Sequence, residues 1–316
     1  MSMNRIQFQP GMSVNELHKS YGSEAQCESA LIQARWPKGF ECPRCSASRA
    51  VTFRLHGKPG WQCMVCNKQT TLTAGTIFHS TKLPLTTWFQ ALYFLTQTKN
   101  NVSALELTRL LGISYPAAWR IKHKLMQVMV EREAPRKLEG RVEVDDAYLG
   151  GQRVGGKRGR GSENKTPFIA AVATQDGRPS CVRFDRVTTF SSEAVEAWAK
   201  QALAPEAKTV SDGLQAFRRL SVQSEHERIV TGGGAHCVTI PAFKWVNTLL
   251  SNLKTGLSGT YHAFDFDKYG HRYLAEYQYR FNRRSNLKII LPRLLRAAAV
   301  TTKRTEAWLR LPEYQC

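Results

Sequence analysis

Long apolar runs are missing from this chain. No stretch of 18 apolar residues exists, which excludes a membrane-spanning helix, and Met1–Pro10 lacks the apolar core of a secretory signal. Acidic residues are also scarce: 25 Asp and Glu stand against 45 Lys and Arg, a formal charge of +20 on 316 residues. So large an excess seeks a polyanion, nucleic acid first and an anionic membrane surface second. The basic residues are spread along the chain and not packed beside an amphipathic anchor, which argues against the membrane. A soluble, intracellular protein of two or three folded units is the expectation. Its eight cysteines would then be reduced or metal-bound and not paired in disulfides.

Four of those cysteines form two matched pairs, Cys42-Pro-Arg-Cys45 and Cys63-Met-Val-Cys66, with 17 residues between them. This is the spacing of a zinc ribbon, in which each C-x-x-C bends as a tight knuckle and four thiolates converge on one tetrahedral ion. A redox C-x-x-C would need one pair and a thioredoxin-like setting. Four sulfur ligands leave no open position, so the expected Zn2+ is structural. Strands over Val51–Arg54 and Gly60–Gln62 would join the knuckles. Cys27, Cys181, Cys237 and Cys316 have no such pairing and read as small core or surface residues.

Ser13–Ala34 has helical character. Further on, Trp88, Phe89, Tyr93 and Phe94 read as the core face of a helix. Ser103-Ala-Leu-Glu106 has the pattern of a capping box, followed by the apolar face of Leu107, Leu110 and Leu111. Gly112-Ile-Ser114 then turns the chain into a second helix with Pro116 in its first turn. Ala118, Ile121, Leu125, Val128 and Met129 lie on one side of it; Arg120, Lys122, His123 and Lys124 lie elsewhere on its surface. The pattern predicts a helix-turn-helix with Tyr115–Met129 as the reading helix, and Arg120, Lys122 and Lys124 as DNA contacts. An ordinary pair of packed helices is the other reading.

Glu133–Gly140, with Pro135, Arg136 and Lys137, reads as a linker. Then comes Arg141-Val-Glu-Val-Asp-Asp-Ala-Tyr-Leu-Gly-Gly151: a short alternating strand that runs into a carboxylate pair and a sharp turn. An acidic residue closing a strand in so basic a chain suggests a site for a hard divalent cation; a plain strand end is the alternative. Gly150–Lys165 is rich in Gly, Arg and Lys, suited to phosphate contacts through Lys157, Arg158 and Arg160, or simply a solvated insertion. Phe168–Thr174 and Cys181–Val187, joined by Gln175-Asp-Gly-Arg178, predict a hairpin. Ser191–Leu203 predicts a helix, and Lys208–Ser211 a strand that ends in Asp212. If that strand lies parallel to the first, Asp145 and Asp212 emerge at the same sheet edge.

A helix near Trp245–Thr255 buries Val246, Leu249, Leu250 and Leu253 and carries Asn247, Ser251 and Lys254 on another face. Asn247 falls 35 positions after Asp212 and seven before Lys254. Tyr261–Arg284 reads as one more packed helix with a wet basic side.

Together the zinc-ribbon cysteines, Val-Glu-Val-Asp145-Asp-Ala-Tyr-Leu-Gly-Gly, Ser-Asp212-Gly, Asn247-Thr-Leu-Leu-Ser-Asn-Leu-Lys254, Gly259-Thr-Tyr-His262 and Tyr279-Arg-Phe-Asn-Arg-Arg284 resemble the IS1595-family (ISXO2-like) insertion-sequence transposases of the DDE superfamily. The resemblance covers nearly the whole chain. It implies an α/β architecture: an RNase H-like catalytic domain, a mixed sheet with flanking helices, preceded by a zinc ribbon and a helix-turn-helix. The expected layout is an N-terminal helix and zinc ribbon in 1–80, the helix-turn-helix region in 81–132, a linker in 133–140 and the transposase domain in 141–316. It also implies Mg2+ or Mn2+ at Asp145 and Asp212, with Asn247 where many such enzymes carry Glu and Lys254 as the matching lysine seven residues on. From its place on the helix Lys254 would hold a DNA phosphate; a solvated helix lysine is the other reading. In-line displacement at a phosphodiester suits a pair of divalent ions. Asn247 adds no charge, so its ion would bind more weakly than one held by three carboxylates. Glu225, Glu227, Asp265 and Glu276 are alternative third ligands.

The implied function is metal-dependent cleavage and strand transfer at insertion-sequence ends. The partners would be double-stranded DNA, both terminal repeats and target, and further copies of the chain in a homodimer or higher oligomer. The setting would be the bacterial cytoplasm, in association with the nucleoid. Two other readings stay open: a non-catalytic DNA-binding regulator derived from such an enzyme, and an RNase H-like nuclease.

Overall fold

The computed structural model describes residues 5–150, 165–230, 232, 240–261 and 264–312. Two compact units emerge: Met1–Val128 with Arg283–Leu309, and Met129–Asn282 with Arg310–Cys316.

The first unit opens with α1 (Val14–Tyr21) and α2 (Glu24–Arg35), split where Ser23 leaves α1 behind and caps α2. Ser13 and Ser23 each accept a backbone N–H three residues on, and Glu16 and Gln26 reach back to the cap residue. Strands β1 (Ala50–Leu55), β2 (Lys58–Cys63) and β3 (Gln69–Thr71) form an antiparallel three-stranded sheet. Helix α3 (Leu85–Gln97) buries Trp88, Phe89 and Tyr93 as the sequence predicts.

Helix α4 (Ala104–Leu111) is capped by Ser103 and stops at Gly112, whose φ of 62° is left-handed. Helix α5 (Tyr115–Glu133) follows. Its surface differs from expectation. Lys122 and His123 are buried along with Ala118, Ile121, Leu125 and Met126. The Lys122 ammonium donates to the carbonyl oxygen of Val102, so this lysine ties α5 to the residue before the α4 cap and is not a surface phosphate contact. Lys124 is half-buried and donates to the Ile77 carbonyl oxygen at 2.9 Å. Arg120 is exposed and pairs with Glu306 at 3.5 Å.

The second unit is built on a five-stranded mixed sheet: β4 (Arg141–Leu149), β5 (Thr166–Gln175), β6 (Arg178–Arg186), β7 (Lys208–Ser211) and β8 (Glu225–Arg228), in the order β6-β5-β4-β7-β8. The first three form an antiparallel meander, while β7 and β8 run parallel to β4 and to each other. The β5–β6 turn places Asp176 and Gly177 at φ 51° and 68°, a pair of left-handed residues whose twist suits a two-residue hairpin. Strand β8 carries alternating Glu, His, Glu, Arg and gave no apolar pattern to read.

Helix α6 (Ser192–Ala202), capped by Ser191, precedes β7. Its Val195, Trp198, Ala199 and Ala202 pack with Val142 and Val144 of β4 and Ile169, Ala171 and Ala173 of β5 in one core, joined by Phe217 and Leu220 of a 3-10 segment after β7. Helix α7 (Lys244–Thr260) packs against β4 and β5.

Helix α8 (Phe266–Phe281) guards the sheet edge: Gln278 and Asn282 side-chain oxygens accept the Phe184 and Val182 N–H groups of β6 at 3.0 and 2.8 Å. At these two positions the edge N–H groups are already paired and not open to another strand. This helix lacks the wet basic side expected of it, since Arg272, Glu276 and Gln278 are buried together with His271. The segment 133–140 is packed as well. Leu138 is 1% exposed and bridges to Leu203, and Glu133 binds Arg136 and Asn282.

The chain then returns to the first unit with α9 (Ile290–Val300), which packs on α2 and α3, and α10 (Glu306–Leu309). Among the described residues no helix is long and apolar enough to cross a membrane.

Candidate functional site

Two clusters of metal-binding side chains stand out among the described residues. The first joins Cys42, Cys45, Cys63 and Cys66, whose sulfurs lie within 4.8 Å of one another. Its two halves repeat one local geometry. The Cys42 and Cys63 N–H groups donate to the carbonyl oxygens of Ala47 and Lys68, and their own carbonyls accept from Ser46 and Asn67. Ser46 and Asn67 take φ values of 58° and 55°. In each half a backbone N–H two residues on points at the first sulfur, Arg44 to Cys42 at 3.5 Å and Val65 to Cys63 at 3.4 Å. Such N–H groups favour the thiolate: the Arg44 N–H leads in holding Cys42 down at about 6, and those of Cys66 and Val65 lower Cys63. Cys42 and Cys66 sulfurs are 3.6 Å apart, as are Cys45 and Cys63. Sulfurs around one tetrahedral ion at ~2.3 Å sit at nearly this separation. Cys45 goes the other way: its backbone bond at Ala47 lowers it, but its bonds to the other three sulfurs and desolvation push it up to about 12. Cys27, buried outside the cluster, is pushed up to about 12 by burial.

The second cluster joins Asp145, Asp146 and Asp212, with carboxylate oxygens within 4.8 Å of one another. Sheet topology creates it. Parallel pairing of β4 with β7 ends at Val144 opposite Ser211, so Asp145 and Asp212 are the next residues on adjacent parallel strands. The expectation that Asp145 closes its strand needs correction: β4 continues to Leu149 by pairing with β5. Only the β7 side is open from Asp145 onward, and that open edge leaves room for the side chains. Asp212 turns its loop by accepting the Leu214 N–H at 3.0 Å. Burial first, then the charges of Asp146 and Asp212, push the Asp145 carboxyl up to about 7, against a smaller pull from the Asp146 N–H and Lys254. Three hard oxygen donors that repel one another in this way form a set a divalent cation would relieve, and oxygens sharing such an ion at ~2.1 Å lie about 3–4 Å apart. Asp146, the second carboxylate of the pair, joins the cluster although only Asp145 and Asp212 were expected as ligands.

Helix α7 carries Asn247, half-buried, and Lys254, exposed. Its Val246, Leu249, Leu250 and Leu253 are buried as predicted. Lys254 acts electrostatically on Asp145 and lines a cavity with Asp146, Tyr148, Leu149, Tyr261 and Phe264. The alternative ligands are engaged elsewhere. Glu225 pairs with Lys208 at the opposite end of its strand, Asp265 caps α8 by accepting the Lys268 N–H, and buried Glu276 accepts from the Tyr261 hydroxyl at 3.2 Å. Glu227 sits opposite Val210, before the strand ends. Lys157, Arg158 and Arg160 lie outside the described residues, as do Cys237 and Cys316.

Residues 137–282 match the family of the ISXO2-like transposase domain, and residues 22–69 match the transposase zinc-ribbon domain. Over 176 residues the chain is 28% identical to a Halobacterium salinarum protein described as an uncharacterized protein in transposable element ISH50. That match takes in 54% of this chain and 58% of the relative.

Proposed function

The chain carries the zinc-ribbon and transposase domains of the IS1595 insertion-sequence family, and from that premise we propose that it is a DNA transposase that binds the ends of its element, cuts them and joins them to a target. The observation that carries this reading is the meeting of Asp145 and Asp212 one residue beyond the last pair of the parallel β4–β7 ladder, inside the matched transposase domain. An RNase H-like fold is part of the proposal. Its support is the sheet itself, three antiparallel strands followed by two parallel to the first. The helix-turn-helix of α4 and α5 is a proposal too, supported by the tight left-handed turn at Gly112 and the exposed N-terminal end of α5, where Ser114, Tyr115, Pro116 and Arg120 face solvent. Zn2+ on the four cysteines would lock the ribbon, and with no open position it has no part in the reaction.

Asp145, Asp212 and Asn247 would hold Mg2+ or Mn2+, with Asp146 beside them. When bound, these cations offset the charge of the phosphodiester and make an oxygen nucleophile available near neutral pH. The chain's own groups do the rest. Asp145 carries a proton part of the time at pH 7 when the cluster is alone, so it gives up that proton when a cation arrives. Lys254 supplies a positive charge at the rim of the cluster for a non-scissile phosphate. In cleavage, water forms a bond to phosphorus as the bond to the 3′-oxygen breaks, and the departing oxygen takes a proton. In joining, that 3′-hydroxyl attacks a target phosphodiester, so one P–O bond forms for each one broken.

The test is cleavage and strand transfer by the purified chain on the DNA flanking its own gene, with Mg2+ or Mn2+. Activity lost in Asp145→Asn and Asp212→Asn, with DNA binding retained, supports the proposal. Full binding with no cleavage by the wild-type chain would instead identify a regulator.

A further inference from the structure

Glu143 lies two residues before Asp145 on β4, so the two side chains leave the same face of the strand. Val142 and Val144 alternate with them and enter the core shared with α6. Glu143 is 1% exposed, and a buried carboxylate persists only when well partnered. Its Oε2 accepts the Trp245 N–H at 2.8 Å and the Val246 N–H at 2.9 Å. Its Oε1 accepts from Arg141 Nη1 at 2.8 Å, and Arg141 Nη2 donates to the Ala242 carbonyl at 3.0 Å. Helix α7 starts at Lys244 and has no side-chain cap from its own N-cap residue. The strand supplies that cap instead, and a carboxylate is the acceptor the positive end of a helix prefers. The next residue after Val246 is Asn247. Two turns later, about 10 Å along the helix and on nearly the same face, comes Lys254.

We infer that Glu143 is a positioning residue: it pins the start of α7 to the strand that bears Asp145, and thereby sets Asn247 and Lys254 against the carboxylates. The inference rests on the functional reading above. The leucines of α7 hold the helix on the sheet without fixing its rotation or register, because apolar packing is non-directional. Two short hydrogen bonds to consecutive N–H groups fix both. Displacements near 1 Å are enough to disable a reacting geometry.

The test uses the full chain with Glu143→Ala, Glu143→Asp, Glu143→Gln and Asp145→Asn. Mn2+ affinity is measured by titration calorimetry, single-turnover cleavage is followed against Mn2+ concentration, and DNA affinity is measured separately. Asp145→Asn locates the Mn2+ signal at this cluster. Glu143→Ala is expected to weaken Mn2+ binding and slow cleavage by about 10- to 100-fold, the range for supporting residues behind metal ligands, with DNA affinity within about twofold. Glu143→Asp keeps the charge but shortens the reach and should show the same direction of change; it decides the matter if the alanine variant fails to fold. Glu143→Gln keeps an oxygen for both N–H groups and should recover most of the loss. Mn2+ affinity and cleavage at wild-type levels in Glu143→Ala or Glu143→Asp overturn the inference. So does a Gln variant as impaired as the Ala variant, since that would make the charge itself the requirement. Mn2+ binding that survives Asp145→Asn removes the functional reading, and this inference with it.

Discussion

The four cysteines and the three aspartates are both tight sets of metal donors, and they are assembled in opposite ways. Each cysteine knuckle is made within six residues by backbone hydrogen bonds and one left-handed residue, and the pattern is repeated at Cys42 and Cys63. The sheet between the knuckles only brings two finished halves together. The aspartates have no such local device. Asp145 and Asp212 meet because β7 returns parallel to β4 and stops one residue short of each. The first site is a local fold that a metal ion would complete; the second is a product of tertiary topology that exists with its charges in conflict. A metal should therefore be needed for folding at the cysteines and for function at the aspartates.

The strongest way to break this comparison is to remove the metals in turn. Cys42→Ser or a zinc chelator is expected to unfold the ribbon, since binding at such sites is folding free energy of about 10–16 kcal/mol; circular dichroism and zinc content would report it. A ribbon that keeps its structure without zinc would erase the distinction. At the other cluster, Asp212→Asn should leave the fold intact while cleavage falls by ~10³-fold or more through lost stabilisation of charge in the transition state.

Asn247 sharpens the contrast further. Asn247→Ala should abolish cleavage with DNA binding nearly unchanged, and Asn247→Asp should shift the metal requirement to lower concentration by adding charge. Wild-type cleavage in Asn247→Ala would move the third position to another residue.

A smaller effect tests the conflict among the charges. The Asp145 carboxyl stands near 7, above its ordinary 3.8. A raised folded-state value means its protonated form stabilises the fold, fully below about pH 4, and that this contribution fades as pH rises through about 7. Thermal denaturation without divalent cation should therefore show stability falling between pH 4 and 7 by this contribution, and Asp145→Asn should reduce the fall. Added Mn2+ should restore stability above pH 7. A variant with the wild-type pH profile would show that burial and the neighbouring carboxylates do not raise the Asp145 carboxyl.

The smallest effect separates the lysines and arginine of α5. Arg120→Ala should lower the slope of log K against log salt by about 0.9 if it meets one phosphate. Lys122→Met should leave that slope alone and lower the melting temperature, because it removes the donor to Val102. Equal slopes in both variants would rule out the exposed start of α5 as the DNA contact.

Much of the fold was legible in the chain. The hairpin announced itself through Asp176-Gly177 between two apolar runs and α7 through its leucine spacing, and the helix expected over Ser191–Leu203 is α6. Strand β8 was not, since an edge strand of polar residues leaves no alternation to detect. The burial of Lys122, His123 and Arg272 was missed for a related reason: a charged side chain reads as surface until its partner, distant in sequence, is in place.

Sequence alone determined the zinc-ribbon cysteines, because a knuckle is set by residues that touch one another along the chain. It also determined which carboxylates were candidates. What it left open was whether Asp145 and Asp212 would meet, that Asp146 would join them, and that Glu143 would reach across to cap α7. Those depend on strand order, parallel direction and the register of a helix against a sheet. Such relations join residues 67 and 102 positions apart, and they follow from burying the shared core and not from any local pattern.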